Sequence, residues 1–368
     1  MDIRDYFDKP SKIDPEFSYI PESDTFVSKL VSENYNVALV GVRFESGSAN
    51  KGCDVAPDEI RKHLYALRGM DKLRIVDLGN IKKGEKASDV YYALRDVVSE
   101  LLSNGIVPVV MGGSQDLSLS IFEGMKEKKT DLNLGVVDAR VDVGMGDVPF
   151  CSSTYLNKIL DDEKLFRLDL IGYQNYFCSK AQLMELKNRN HWGMRLGTLR
   201  ADLGKSEPIF RDCDFVSVDM SVVRQSDAPG NAQPVPNGLF GEEICQLARY
   251  AGFSDRISAF GVFETNPFFD NNGQTSALAA EIIWHFLEAY GNRYGDYPKR
   301  ELSTYMKYVV PDMDGDGEMV FYNNNLNNRW WIEIPTRRGL RVFSCSYQDY
   351  RLAKGNQIPD IWMMYYLK

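Results

Sequence analysis

The chain has 368 residues, 52 acidic and 43 basic, for a formal charge of −9. That balance disfavours sequence-blind binding to nucleic acid, whose phosphates need a basic face. With 44% hydrophobic and 26% charged residues, the composition is globular, and the length allows one large α/β body plus an appendage. The start, Met1-Asp2-Ile3-Arg4-Asp5-Tyr6, has no basic-then-apolar run of a secretion signal, and no apolar stretch is long enough to cross a bilayer. Six scattered cysteines without a C-x-x-C pair read as reduced core thiols. A cytoplasmic protein with no membrane or nucleic-acid partner is therefore expected.

In chain order, 1–34 is an N-terminal segment, 35–295 an α/β domain, and 296–368 a small β-rich appendage. Within the domain, buried-strand runs are expected at 36–42, 73–78, 106–111, 132–137, 168–172, 215–218 and 257–263. Helices are expected from Ala56, where Pro57, Asp58 and Glu59 suit a first turn, and over 88–102, 240–250 and 275–290. Lys126, Lys128 and Lys129 read as a solvated helix end. This alternation predicts a mainly parallel sheet flanked by helices, a three-layer body. In the appendage, two aromatic and β-branched runs at 318–322 and 329–334 flank an Asn-rich turn and read as a hairpin. The appendage is expected to pack on the body or on a neighbouring subunit.

Three segments carry the chemistry. They are Gly112-Gly113-Ser114-Gln115-Asp116, Asp138-Ala139-Arg140-Val141-Asp142 and Ser217-Val218-Asp219-Met220-Ser221. Each follows a buried-strand run, and in open α/β sheets ligand sites gather at the carboxyl ends of strands. A single Asp after a strand is most often a turn cap. The three segments together, followed by Asp227-Ala228-Pro229-Gly230, Pro236-Asn237-Gly238-Leu239 and Glu264-Thr265-Asn266-Pro267, exceed that explanation. In order and spacing they resemble the motifs G-G-D/G-H, D-A-H-x-D and S-x-D-x-D of the ureohydrolase family: arginase, agmatinase and formimidoylglutamase. The likeness extends roughly over 35–290 and implies an arginase-like fold, commonly assembled as a homo-oligomer.

It also implies a site in which two Mn²⁺ ions activate a hydroxide that attacks a guanidinium or amidine carbon, releasing urea or formamide. Carried over residue by residue, one ion would take Gln115, Asp138, Asp142 and Asp219. The other would take Asp138, Asp219, Arg140 and Ser221. Glu264 would stand in the cleft, facing a small cationic or amidine-like ligand. Both motif histidines and the last aspartate are replaced here, by Gln115, Arg140 and Ser221.

The residue chemistry then separates the two ions. A guanidinium has no lone pair for a metal and a permanent positive charge, so Arg140 is expected to pair with Asp138 or Asp219 in place of the second ion. At the first position an amide oxygen and three carboxylates form an all-oxygen set that suits Mg²⁺, Mn²⁺ or Ca²⁺ better than zinc. Three aspartates against one arginine leave two negative charges, which one divalent cation would neutralise. Hydrogen bonds and a raised pKa could settle the same charge, and the metal-free state is the expectation.

The leading expectation is thus a non-catalytic binding or scaffolding protein. The alternatives are a hydrolase of C–N bonds in linear amidines with one metal or a rearranged site, and a structural subunit of an assembly. Other features read as structural. His63, His191 and His285 fall outside the motifs, with His191 in a loop beside Trp192. The acidic run 312–318 lacks the twelfth-position glutamate of a calcium loop. Gly112-Gly113 has no phosphate-loop context. Cys151 and Cys213 lack a neighbouring cation to lower their pKa, and Trp330-Trp331 reads as a packing anchor.

Overall fold

A computed structural model describes residues 3–8, 13, 15–16, 18–298, 305–311, 317–337 and 339–366. Nine strands form the main sheet: β1 (Phe7–Asp8), β2 (Val37–Gly41), β3 (Ile75–Ile81), β4 (Val107–Met111), β5 (Leu132–Val137), β6 (Leu165–Tyr173), β7 (Trp192–Arg195), β8 (Phe215–Asp219) and β9 (Ala259–Phe263). Their order is β1-β3-β2-β4-β9-β8-β5-β6-β7. Every pairing is parallel except β1 with β3. β2, β4, β5, β8 and β9 are buried at every residue, as strands covered on both faces must be.

Two apolar layers cover the sheet. On one side Ile60 and Leu64 of helix Ala56–Ala66 join Ile244 and Ala248 of helix Gly241–Gly252 and Ile283 and Phe286 of helix Gln274–Gly291. On the other, Leu94 and Val98 of helix Ala87–Ser103 meet Ile121 and Met125 of helix Leu117–Lys126. The helix starts have local causes. Asp89 reaches back to the Lys86 N–H at 2.9 Å, and Asp270 accepts from the N–H groups of Thr275 (2.8 Å) and Ser276 (3.0 Å).

The structure extends the sequence reading in two places. β6 is longer than 168–172: it starts at Leu165 and takes in Arg167, whose buried guanidinium pairs with Asp169 at 2.5 Å. Trp192 opens the edge strand β7 rather than lying in a loop, and His191 accepts from the Leu168 N–H at 3.1 Å.

The C-terminal segment adds a second sheet, antiparallel and in sequence order: β10 (Met306–Pro311), β11 (Glu318–Asn324), β12 (Arg329–Thr336) and β13 (Gly339–Cys345). The expected hairpin is β11–β12, with Tyr322 opposite Trp331. Helices Tyr347–Lys354 and Asp360–Tyr365 follow. This unit is tied to the body by buried polar contacts. Asp212 accepts from Ser344 through its N–H (3.0 Å) and hydroxyl (2.7 Å), and Arg211 donates to the Cys345 carbonyl at 2.9 Å. Trp331 is buried with the Arg211 guanidinium over its ring, a packing role. Most of the acidic run before β11, residues 312–316, lies outside the described residues. Among the described residues, no helix is long and apolar enough to cross a membrane.

Candidate active site

The four strands that carry the motifs are neighbours, in the order β4-β9-β8-β5, so their carboxyl ends open on one spot. Gly113 makes the turn after β4 feasible. A Cβ there would lie 1.7 Å from the Phe44 carbonyl oxygen, so only glycine lets the two backbones pass. The turn delivers Gln115, β5 delivers Asp138 and Asp142, β8 ends in Asp219, and β9 runs into Glu264. All five are buried.

Asp138 and Asp219 are held alike. Each spends one carboxylate oxygen on the backbone two residues on: Asp138 Oδ1 accepts from the Arg140 N–H at 2.9 Å, and Asp219 Oδ1 from the Ser221 N–H at 2.6 Å. One carboxylate oxygen from each of Asp138, Asp142 and Asp219 forms a triad of ligand atoms within 4.8 Å of one another. The Gln115 amide sits against all three. With its nitrogen inward, it lies 3.1 Å from Asp138 Oδ2, 3.1 Å from Asp142 Oδ2 and 3.2 Å from Asp219 Oδ2.

Glu264 closes one side. Its Oε1 accepts from the Gln115 N–H at 3.0 Å and its Oε2 from the Ser48 hydroxyl at 2.8 Å. Its backbone has φ 62°, a left-handed conformation uncommon for a long side chain. That conformation is fixed by its neighbours. The Glu264 N–H donates to the Gly113 carbonyl at 2.8 Å, and the Glu264 carbonyl accepts from Asn50 (2.9 Å) and Asn231 (3.1 Å).

Burial dominates the electrostatics. It pushes Asp138 well above the usual carboxylate range, helped by the charges of Asp142 and Asp219. It raises Asp142 to about 8 and, together with the Asp219 charge, Glu264 to about 8. Asp219 is raised by burial as well. Protons or a cation must therefore compensate this cluster near neutral pH.

Arg140 does not form the expected pair, although its charge, acting through space, lowers the pKa of Asp142 and Asp219. Its Nη1 donates to the Ser221 hydroxyl at 3.2 Å and its guanidinium lies 4.9 Å from the Phe177 ring centroid, with no ion pair to Asp138 or Asp219 among the described residues. The stacking aromatic and the Ser221 acceptor draw the side chain off the carboxylates. It lines a cleft of about 520 Å³ that also exposes Asp138, Asp142, Asp219, Ser221 and Glu264.

Several wall residues were missed from sequence. Ser48 and Asn50 stand far from the motifs in the chain and lack a local signal, and Asn231 directly follows the Asp227–Gly230 run without being singled out. Cys151 also lines the cleft. Burial raises its thiol pKa, but hydrogen bonds with Ser153 and Thr154 outweigh this and leave it below its ordinary value, which the absence of a nearby cation had not suggested. Cys213, by contrast, is buried and raised.

This arrangement places three motif segments of one kind at one strand-end cleft, and residues 35–288 match the sequence pattern of the arginase family. The chain belongs to the arginase family. It is 24% identical over 272 residues to formimidoylglutamase from Staphylococcus haemolyticus, across 70% of this chain and 87% of that one. Formimidoylglutamase from Bacillus subtilis superposes with a TM-score of 0.68 at 24% identity, over 76% of this chain and 95% of that one. A Trypanosoma cruzi formiminoglutamase solved with Mn²⁺ superposes with a TM-score of 0.69 at 21% identity, over 73% and 99%. At these identities the superpositions establish an arginase-like fold for the main sheet and its helices. The antiparallel C-terminal sheet is additional to it.

Proposed function

We propose that this family member hydrolyses C–N bonds in linear amidines, using a single divalent cation held by Asp138, Asp142 and Asp219. The observation that carries this reading is the buried triad itself. Two of its carboxylates are oriented by backbone N–H groups, and Arg140 makes no ion pair with Asp138 or Asp219 among the described residues. The non-catalytic expectation rested on Gln115, Arg140 and Ser221 standing in place of both motif histidines and the last aspartate; with Arg140 so placed, the three retained aspartates support one ion. The donor set fits a hard cation, because three carboxylates that repel one another in a buried space are raised in pKa unless such a charge is present.

A divalent cation, when bound, supplies positive charge to the reacting centre and an activated water. The remaining work falls to the chain. Glu264, fixed by Gln115 and Ser48, accepts from the N–H groups of an amidinium in the cleft when it is ionised. Burial holds the Glu264 carboxyl up at about 8, so it can take or return a proton near neutral pH, whereas Asp142 as a ligand stays ionised. Arg140 and Ser221 form the neighbouring wall, where the family resemblance implies a second ion.

That wall favours a second reading, a cleft that binds an amidine without turning it over. One assay separates the two. Purified protein supplied with Mn²⁺ is incubated with formimidoylglutamate, arginine and agmatine, and formamide and urea are measured. Product from at least one substrate, lost in Asp142→Asn, is expected. Saturable binding without product would favour the binding reading, and neither binding nor product would remove both.

A further inference from the structure

We propose that Gln115 serves the triad in two orientations: carbonyl oxygen inward as a fourth ligand to one divalent cation, and amide nitrogen inward as a donor to the carboxylates when the cation leaves. The proposal takes its cation from the reading above but does not depend on turnover.

The first observation is distance. The inward amide position lies 3.1, 3.1 and 3.2 Å from one oxygen each of Asp138, Asp142 and Asp219. With nitrogen inward these are hydrogen-bond lengths. With oxygen inward they are oxygen–oxygen contacts that need a cation between them.

The second observation is the support behind the amide. Its outward atom lies 3.2 Å from the Ser217 hydroxyl in either orientation. Ser217 in turn lies 2.8 Å from the Ser118 hydroxyl, and either oxygen can be the donor of that bond. When nitrogen points outward, Ser217 accepts from Gln115 and donates to Ser118. When oxygen points outward, Ser217 donates to Gln115 and accepts from Ser118. Two rotatable hydroxyls thus satisfy both orientations without moving a heavy atom. The residue is fully buried, so water cannot do this in their place.

An amide offers an N–H donor at one end and a hard oxygen ligand at the other, so a half-turn exchanges them at one position. It keeps the empty triad from leaving repelling carboxylates without donors, and it does not have to be displaced for an ion to enter.

Calorimetric titration with Mn²⁺ and melting in chelator test this with Gln115→Met and Gln115→Glu. Met fills the space but neither donates nor ligates well. It should weaken Mn²⁺ binding by about tenfold or more and lower the metal-free melting temperature. Glu keeps the oxygen and, once ionised in alkaline buffer, loses the donor, so both metal-free melts are run there. It should bind Mn²⁺ at least as tightly as the parent, yet melt at a lower temperature without metal, or fold only when Mn²⁺ is added. That split is the signature of the two orientations. Parent-like Mn²⁺ affinity in Gln115→Met, or an unchanged metal-free melting temperature in Gln115→Glu, would overturn the proposal. If Gln115→Met does not fold, the Gln115→Glu arm decides alone. Ion binding without turnover in the parent would leave this inference standing and remove the hydrolase reading. Turnover with parent-like affinity in Gln115→Met would do the reverse.

Discussion

Replacing Glu264 by glutamine probes the electrostatics of the cleft with little change of shape. In the wild type, burial and the Asp219 charge raise this carboxyl from its ordinary 4.5 to about 8. Between those values the folded protein holds a proton that the unfolded chain has released. The stabilisation is complete below the unfolded value and is lost as pH rises through the folded one, at about 1.4 kcal/mol per pH unit. From about pH 5 to about pH 8 this single group could remove up to about 4 kcal/mol. A glutamine preserves both contacts, since its oxygen accepts from the Gln115 N–H and its amide donates to the Ser48 hydroxyl. Urea unfolding across that pH range, in chelator, should show the wild type losing stability more steeply than Glu264→Gln. The variant should be the more stable of the two at the alkaline end. Asp142, also raised to about 8, leaves a residual slope in both proteins. Parallel curves, or a wild type that gains stability with rising pH, would refute the reasoning.

Arg140→Ala should cost only about 1 kcal/mol by urea unfolding, the scale of one hydrogen bond to Ser221 and a stack on Phe177. A loss beyond about 3 kcal/mol would place the guanidinium in a buried carboxylate pair after all. Asp212→Ala strands the Ser344 N–H and hydroxyl at the junction of the two sheets and should cost about 2–3 kcal/mol. It should also speed proteolytic cleavage within β10–β13, and cleavage at the wild-type rate would contradict the docking role assigned to it.

Much of the body was legible because its signals are local. Each strand of the buried centre reads as an apolar run, and the motif residues follow those runs directly, so β4, β5, β8 and β9 and their strand-end residues could be placed from sequence. β6 was started late because a charged Arg167 breaks the apolar run, although its buried guanidinium pairs with Asp169 inside the strand. The second sheet was only half visible. Its hairpin has turn chemistry, whereas β13 pairs with β12 and docks on Asp212 of the body; the Ser346–Asp349 capping box that starts the helix Tyr347–Lys354 is a local signal that was left unread. The direction of Arg140 was not legible at all. Residue chemistry predicts that a guanidinium beside two aspartates pairs with them, but Phe177 lies 37 residues further along the chain and bids for the same group. The long-range fixing of Glu264 by Ser48, Asn50 and Asn231 is of the same kind. It arises only when loops after different strands meet.

The central claim, a hydrolase working on one cation, is tested most directly by measuring turnover while Mn²⁺ is titrated into metal-free protein. Formamide or urea release should rise with added ion and saturate at one Mn²⁺ per chain. Release that begins only as a second equivalent binds, or no release from any of the three substrates at any occupancy, would contradict it.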